Sequence, residues 1–292
     1  MLGKLYIVGT PIGNLGDLSA RAIDVLKNAD FIAAEDTRVA LKLLNYLNLK
    51  KKVFSYFEHN KYEKSNLICK KILSGEVCAL ISDAGMPCIS DPGEYLVQCC
   101  IDYKIPISVI PGPCAISAAL SLAGIFGTKF TFEGFLSINK KDRKEHLDQI
   151  KNEFRTMVFY ESPHRLHRTL CDLYESLGER EIVIVKELTK VYENADYTKL
   201  SKAVVSYKNK KVRGEYVIII KNKTKKPKTV FNMQDAIKLY FLYLQDGKSK
   251  EKIDIGYSYF INGKAYSIKS NEGITTELEI LNLDDMKKET IK

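Results

Sequence analysis

Ile81-Ser-Asp-Ala-Gly-Met-Pro-Cys-Ile-Ser-Asp-Pro-Gly93 is the stretch whose reading decides the fold. The apolar run Val77-Cys-Ala-Leu-Ile81 leads into it and reads as a buried strand. Between that strand and the next helix stand two Gly, two Pro, two Asp and two Ser. A simple reversal needs only about one or two such residues. The surplus describes a backbone shaped for close approach of a ligand, the plain alternative being an ordinary strand-to-helix connection. Ligands of open α/β sheets bind beyond the carboxyl ends of parallel strands, which is where this turn stands.

Working outward, the same grammar repeats. Leu5-Tyr-Ile-Val8 predicts a strand, followed by Gly9-Thr-Pro-Ile-Gly-Asn-Leu-Gly-Asp17 and a helix from about Ser19, capped by Ser19 or Asp17. Its glycine spacing fits neither a dinucleotide fingerprint nor a Walker loop. Phe31-Ile-Ala-Ala34 is a second strand. Glu35-Asp-Thr-Arg38 at its end is either a functional cluster or an acidic helix start. A helix over Leu41–Leu49, a strand over Val53–Tyr56 and a helix over Asn66–Leu73 lead to the central turn. Beyond it come a helix over Tyr95–Ile101, a strand over Ile107–Ile110, the turn Pro111-Gly-Pro-Cys-Ala115 and a helix of small residues over Ile116–Ala123. Strand and helix alternate five times in the first 120 residues, which predicts a parallel, doubly wound sheet.

A second α/β region follows. Phe130–Phe135, Thr156–Tyr160, Glu181–Val185 and Glu215–Ile220 read as strands, with helices over Glu145–Phe154 and Leu166–Ser176. The strand ends carry Glu161-Ser-Pro-His-Arg165 and Lys186-Glu-Leu-Thr-Lys190. The expected organisation is one α/β domain over 1–115, a second over 116–222, and a basic linker with a small helical C-terminal segment over 223–292, including a helix over Gln234–Leu244.

Composition narrows the function classes. A 292-residue chain with 45% hydrophobic residues can bury a sizeable core in two domains. The net charge of +9 makes an anionic partner plausible. Lys199–Lys228 contains a single acid, Glu215; the stretch is either a solvated linker or a phosphate track. The 7 cysteines are odd in number, scattered in apolar runs and never spaced C-x-x-C, which favours reduced thiols in the cytoplasm over disulfides or zinc. Met1 runs almost directly into a strand, so no signal peptide is expected, and no apolar run approaches the roughly 20 residues of a membrane span. No metal-ligand cluster stands out.

Four turns in order, Val8–Asp17, Ser82–Gly93, Val109–Ala115 and Phe159-Tyr-Glu-Ser-Pro-His-Arg165, resemble those of the tetrapyrrole methylase superfamily, over roughly residues 4–222. Phe159–Arg165 and Glu35–Arg38 resemble its ribosomal RNA branch more than its corrin, haem or diphthamide branches. The resemblance implies two α/β domains with S-adenosylmethionine in the cleft between them, 2′-O-methylation of a cytidine in 16S rRNA of the small ribosomal subunit, and a homodimer. It implies cofactor contacts at Pro11 and Ile12, at Asp83, Ala84, Gly85 and Met86, at Cys114 (where relatives usually carry Ser or Thr) and Ala115, and at Tyr160 and Glu161.

A ribose hydroxyl is a poor nucleophile until its proton leaves, so a base is expected at a strand end. Lys186, Glu187 and Glu161 are the leading candidates, with Asp36 and His164 behind them. The plain alternative is that these groups pair structurally or meet phosphate. Arg38, His164, Arg165 and Lys190, with Lys223, Lys225 and Lys226 of the basic stretch, are expected phosphate contacts. Two other readings stand beside RNA methylation: a methylase of a small tetrapyrrole, and a non-catalytic RNA-binding module. The first needs no long phosphate track, and the second needs no Gly- and Pro-built strand ends.

Overall fold

Five parallel strands form the first sheet of the computed structural model: β1 Lys4–Val8, β2 Phe31–Ala34, β3 Lys52–Ser55, β4 Val77–Ile81 and β5 Ile107–Ile110, in the order β3-β2-β4-β1-β5. The structure describes residues 3–124, 129–222, 260–261, 264–270, 276–281 and 288–291. The connecting helices are α1 Ala20–Asn28, α2 Thr37–Tyr46, α3 Lys61–Leu73 and α4 Gly93–Asp102. Along the strands, successive residues enter opposite layers. Phe31, Ala33, Cys78 and Leu80 pack with α3 and α4, whereas Ile32, Ala34, Ala79 and Ile81 pack with α1 and α2. Burial on both faces explains why β2 and β4 read as unbroken apolar runs rather than alternating ones.

Two helices start earlier than apolar periodicity indicates, because polar caps set their ends. The Asp36 carboxylate accepts from the Arg38 amide at 2.8 Å, so α2 begins at Thr37. Asn139 accepts from the Lys141 amide at 2.9 Å, which starts α6 (Lys140–Ile150) inside the lysine-rich run.

Helix α5, Ala115–Ala123, leaves the first sheet and packs on the second, with Ile116, Ala119 and Ala123 against Val158, Val183, Val217 and Ile219. That sheet joins β6 Phe130–Gly134, β7 Thr156–Glu161, β8 Glu181–Lys186, β9 Asn194–Lys199 and β10 Tyr216–Ile220 in the order β6-β7-β10-β8-β9. Only β6 and β7 run parallel; β10 lies antiparallel between β7 and β8. Helices α7 Leu166–Leu177 and α8 Leu200–Tyr207 cover the face opposite α5. Buried Arg143 of α6 joins this layer through Asp172 Oδ2 at 2.6 Å and Thr169 Oγ1 at 2.8 Å.

The chain forms two compact units, Met1–Lys223 and Thr224–Lys292. In the second, the described residues form an antiparallel four-stranded sheet, β11 Phe260–Ile261, β12 Lys264–Ser270, β13 Thr276–Leu281 and β14 Lys288–Ile291. This corrects the expected helical character of the C-terminal segment over these residues. Tyr266 and Ile268 pair in register with Ile280 and Leu278, an alternation that suits strands. The helix expected over Gln234–Leu244 lies outside the described residues, as do Lys223, Lys225 and Lys226.

Candidate functional site

Three turns of the first sheet meet at its carboxyl edge. The amides of Thr10 and Gly85 exchange hydrogen bonds with each other's carbonyls at 2.9 and 3.1 Å, tying the turn after β1 to the turn after β4. Thr10 Oγ1 adds a bond to the Ser82 carbonyl at 3.2 Å. The turn after β5 closes from the other side: a Cβ on Gly9 would stand 2.7 Å from the Gly112 backbone and from Met86 Sδ. Only glycine permits that approach. The central turn carries its own strain, with Cys88 at φ 69° and Ser90 at φ 66°. Asp91 holds that shape by accepting from the Cys88 and Gly93 amides at 2.8 and 3.1 Å.

The second sheet supplies the facing wall. Between the two lies a cavity of about 420 Å³, within the roughly 300–1,000 Å³ usual for ligand pockets. Ile12, Ser82–Met86, Cys114 and Ala115 line one side; Phe135, Tyr160–Pro163, Val185, Leu188 and Glu215–Val217 line the other. Tyr160 is held edge-on by Phe132 and Phe135, with ring centroids 4.9 and 5.6 Å away.

Buried Glu161 is built in from several directions. Its carboxylate accepts from the Ser162 amide at 2.8 Å and from Thr169 Oγ1 at 2.5 Å, with Arg165 Nε at 3.5 Å. Thr169 in turn meets Arg143, so a polar chain runs from the cavity wall into α6.

Comparison with known proteins identifies this arrangement. The model of the tetrapyrrole (corrin/porphyrin) methylases matches residues 4–203. The chain belongs to that methylase family. The ribosomal RNA small subunit methyltransferase I of Vibrio cholerae is 45% identical over 219 residues, 74% of this chain and 76% of its own. The protein of the same name from Thermotoga maritima is 43% identical over 222 residues, which cover 100% of it but 76% of this chain. Among solved structures, the uroporphyrin-III C-methyltransferase of Thermus thermophilus, complexed with S-adenosylhomocysteine, superposes with a TM-score of 0.55 at 18% identity, covering 75% of this chain and 97% of its own. That likeness is one of fold.

Within this member of the methylase family, Ile12, Asp83, Ala84, Gly85, Met86, Cys114, Ala115, Tyr160 and Glu161 all line the cavity, and Pro11 stands beside that wall without lining it. The base candidates Lys186 and Glu187 do not line it. Glu187 sits at φ 54°, receives the Glu215 amide at 3.0 Å and pairs with Lys190 Nζ at 2.8 Å rather than with Lys186. Glu187 lies just past the end of β8 in the left-handed region, so adjacency in sequence makes no pair here. Lys190 also reaches Glu215 at 2.9 Å, and Arg165 donates to the Leu136 carbonyl, so both expected phosphate contacts have partners inside the protein. Arg38 is exposed but forked onto Asp36, whose carboxyl is held down at about 2 by that guanidinium. His164 is exposed. Among the described residues no three metal-ligating side chains converge, and no helix is long and apolar enough to cross a membrane.

Residues not named individually as contacts also line the cavity: Glu35 of the Glu35–Arg38 cluster, Ile89, Ser90 and Asp91 of the central turn, and Phe135 and Leu188 of the second sheet's loops. Burial, and then the charges of Asp83, Asp91 and Asp36, raise the Glu35 carboxyl above its usual value. A raised acid holds its proton longer folded than unfolded, so its ionisation opposes folding. That opposition is absent below the ordinary value of 4.5 and grows as pH rises through the raised one. Glu35→Gln is therefore expected to melt higher than the parent near neutral pH, with the two curves converging below about pH 4. Equal melting temperatures at neutral pH would show that the carboxylate carries no such penalty.

Proposed function

We propose that the chain is an S-adenosylmethionine-dependent methyltransferase of small-subunit ribosomal RNA, acting on the 2′-hydroxyl of a cytidine in 16S rRNA. The cavity floored by the three strand-end turns carries this reading. It lies in a chain whose relatives at 40–45% identity are named ribosomal RNA small subunit methyltransferase I. A methylase of small tetrapyrroles is the weaker alternative, because likeness to those enzymes is one of fold at 18% identity.

The residues present fit the cofactor. Ile12, Met86, Val185, Leu188 and Val217 offer apolar surface to a purine and a methylene chain. Glu35, Asp83 and Asp91 complement an ammonium and a sulfonium, and the Gly85 backbone leaves room for close approach. Ile12, Asp83–Met86, Cys114, Ala115, Tyr160 and Glu161 would hold it, with Pro11 behind Ile12. When bound, the cofactor supplies a methyl group already activated on sulfur.

What the chain adds is position and proton handling. A ribose oxygen must lie in line with the bond to be broken, and holding both reactants so supplies much of the rate. The hydroxyl proton needs an acceptor within reach. Of the candidates Lys186, Glu187 and Glu161, only Glu161 lines the cavity; Glu35, less willing to stay ionised, is a further acceptor on the side of the strand-end turns. Arg38 and His164 suit phosphate by exposure, and Lys223, Lys225 and Lys226 by charge alone. The working form in this reading is a cytoplasmic homodimer with lobes over 1–115 and 116–222.

The test is incubation with methyl-labelled cofactor and small ribosomal subunits lacking the modification, followed by mapping of the label. Label on a cytidine 2′-oxygen of 16S rRNA is the expected result. Label confined to a tetrapyrrole, or no transfer to ribosomal RNA, would overturn the reading.

A further inference from the structure

The cavity wall poses a problem for an RNA substrate. Glu35, Asp83, Asp91, Glu161 and Glu215 face the cavity, and like charges repel a phosphate backbone. Cations must therefore stand outside the cavity. Of the sequence-nominated cations, Lys190 is bound to Glu187 and Glu215, Arg165 to Leu136 and Glu161, and Arg38 to Asp36.

The segment from Phe135 to Lys144 meets the need. Phe135 lines the cavity and is 50% exposed; three residues on, Ile138 is 77% exposed. Lys140, Lys141 and Lys144 follow, all exposed in the first turns of α6. Lysine near a helix N-terminus opposes the helix dipole, so helix stability alone does not account for three of them here. Asp142 and Glu145 lie among them, Glu145 at 4.0 Å from Lys141. Among the described residues Lys140 and Lys144 make no ion pair.

The segment is exposed yet fixed. Arg165 donates to the Leu136 carbonyl and buried Arg143 to the Ser137 carbonyl at 3.4 Å, and the Asn139 amide donates to Ser137 Oγ at 3.1 Å. Both arginines belong to the Glu161–Thr169 network described above. A solvent-facing isoleucine anchored this way gains nothing for folding, but it is ready-made for a partner.

We propose, on the reading that RNA is the substrate, that Phe135–Lys144 is the surface on which the RNA strand docks: Lys140, Lys141 and Lys144 hold phosphates while Phe135 and Ile138 meet the base and sugar led into the cavity. Base stacking on an aromatic and charge contact with phosphate are the usual division of labour for single strands. The network then carries a second role: it fixes the docking surface to the wall that holds Glu161.

The test compares the parent, the triple variant Lys140→Ala/Lys141→Ala/Lys144→Ala, and Ile138→Ser. Measured are RNA binding against salt with a 16S rRNA fragment, methyl transfer to small subunits, and calorimetric affinity for S-adenosylhomocysteine. The triple variant is expected to bind RNA at least tenfold more weakly, with a log–log salt slope shallower by about 2–3, since each of the three lost phosphate contacts removes about 0.7–0.9. Ile138→Ser is expected to raise KM for subunits with the salt slope unchanged. Cofactor affinity stays at the parent level in both. Parent-like slope, binding and KM in the variants, with the parent methylating rRNA, would overturn this surface and leave the function standing. A parent that neither binds nor methylates RNA would overturn both.

Discussion

Gly85→Val is expected to abolish measurable binding of S-adenosylmethionine, a loss of at least a hundredfold in calorimetric affinity, or about 2.7 kcal/mol. Gly85 sits at φ 82°, a conformation that side chains rarely adopt, and its amide and carbonyl form the bridge to Thr10. A β-branched residue there costs about 1–3 kcal/mol of strain. Its Cβ would stand 3.2 Å from Ile12 Cγ2, so this cavity-lining side chain must give way, while the Pro113 carbonyl at 3.5 Å is in ordinary contact. The variant is expected to stay folded, with a modest fall in melting temperature. Unchanged affinity in a folded variant would remove the central turn from the cofactor site.

The second large effect is expected for Glu161→Gln. The substitution keeps the shape but turns an acceptor into a partial donor against the Ser162 amide and Thr169 Oγ1. It also strips a buried charge from Arg165 Nε, 3.5 Å away. Breaking one side of a buried ion pair costs about 3–5 kcal/mol, and a domain of this size loses about 2–4 °C per kcal/mol. A fall of about 6 °C or more in melting temperature is expected, with methyl transfer reduced at least tenfold because Tyr160 and Glu161 share the cavity wall. A parent-like melting curve would show that the network contributes little.

Much of this is legible in the sequence. The first sheet announced itself because β2 and β4 are buried on both faces and carry no polar interruptions. Strand β9 did not, because Asn194-Ala-Asp-Tyr-Thr-Lys199 is a polar edge strand without an apolar face. The turns that floor the cavity were visible through their glycines and prolines, residues whose backbone freedom or restriction has little use elsewhere. The facing wall was harder. Phe135 follows β6, Leu188 follows β8 and Tyr216 opens antiparallel β10, so only the pairing of β10 between β7 and β8 brings them to one place. Glu35 carried a usable signal, a carboxylate directly after a buried strand, but its neighbour Asp36 proved to be a helix cap. Lys186 and Glu187 looked like a pair by adjacency alone, and the left-handed turn at Glu187 delivers it to Lys190 instead.

The central claim is that the cofactor lodges between the glycine-built turns and the Tyr160 wall. Ultraviolet cross-linking of radiolabelled S-adenosylmethionine to the parent protein, followed by peptide mapping, tests it most directly. Label on peptides containing Asp83–Met86 or Tyr160–Glu161, competed away by S-adenosylhomocysteine, is the predicted result. Competable label found only on peptides remote from both walls would contradict it.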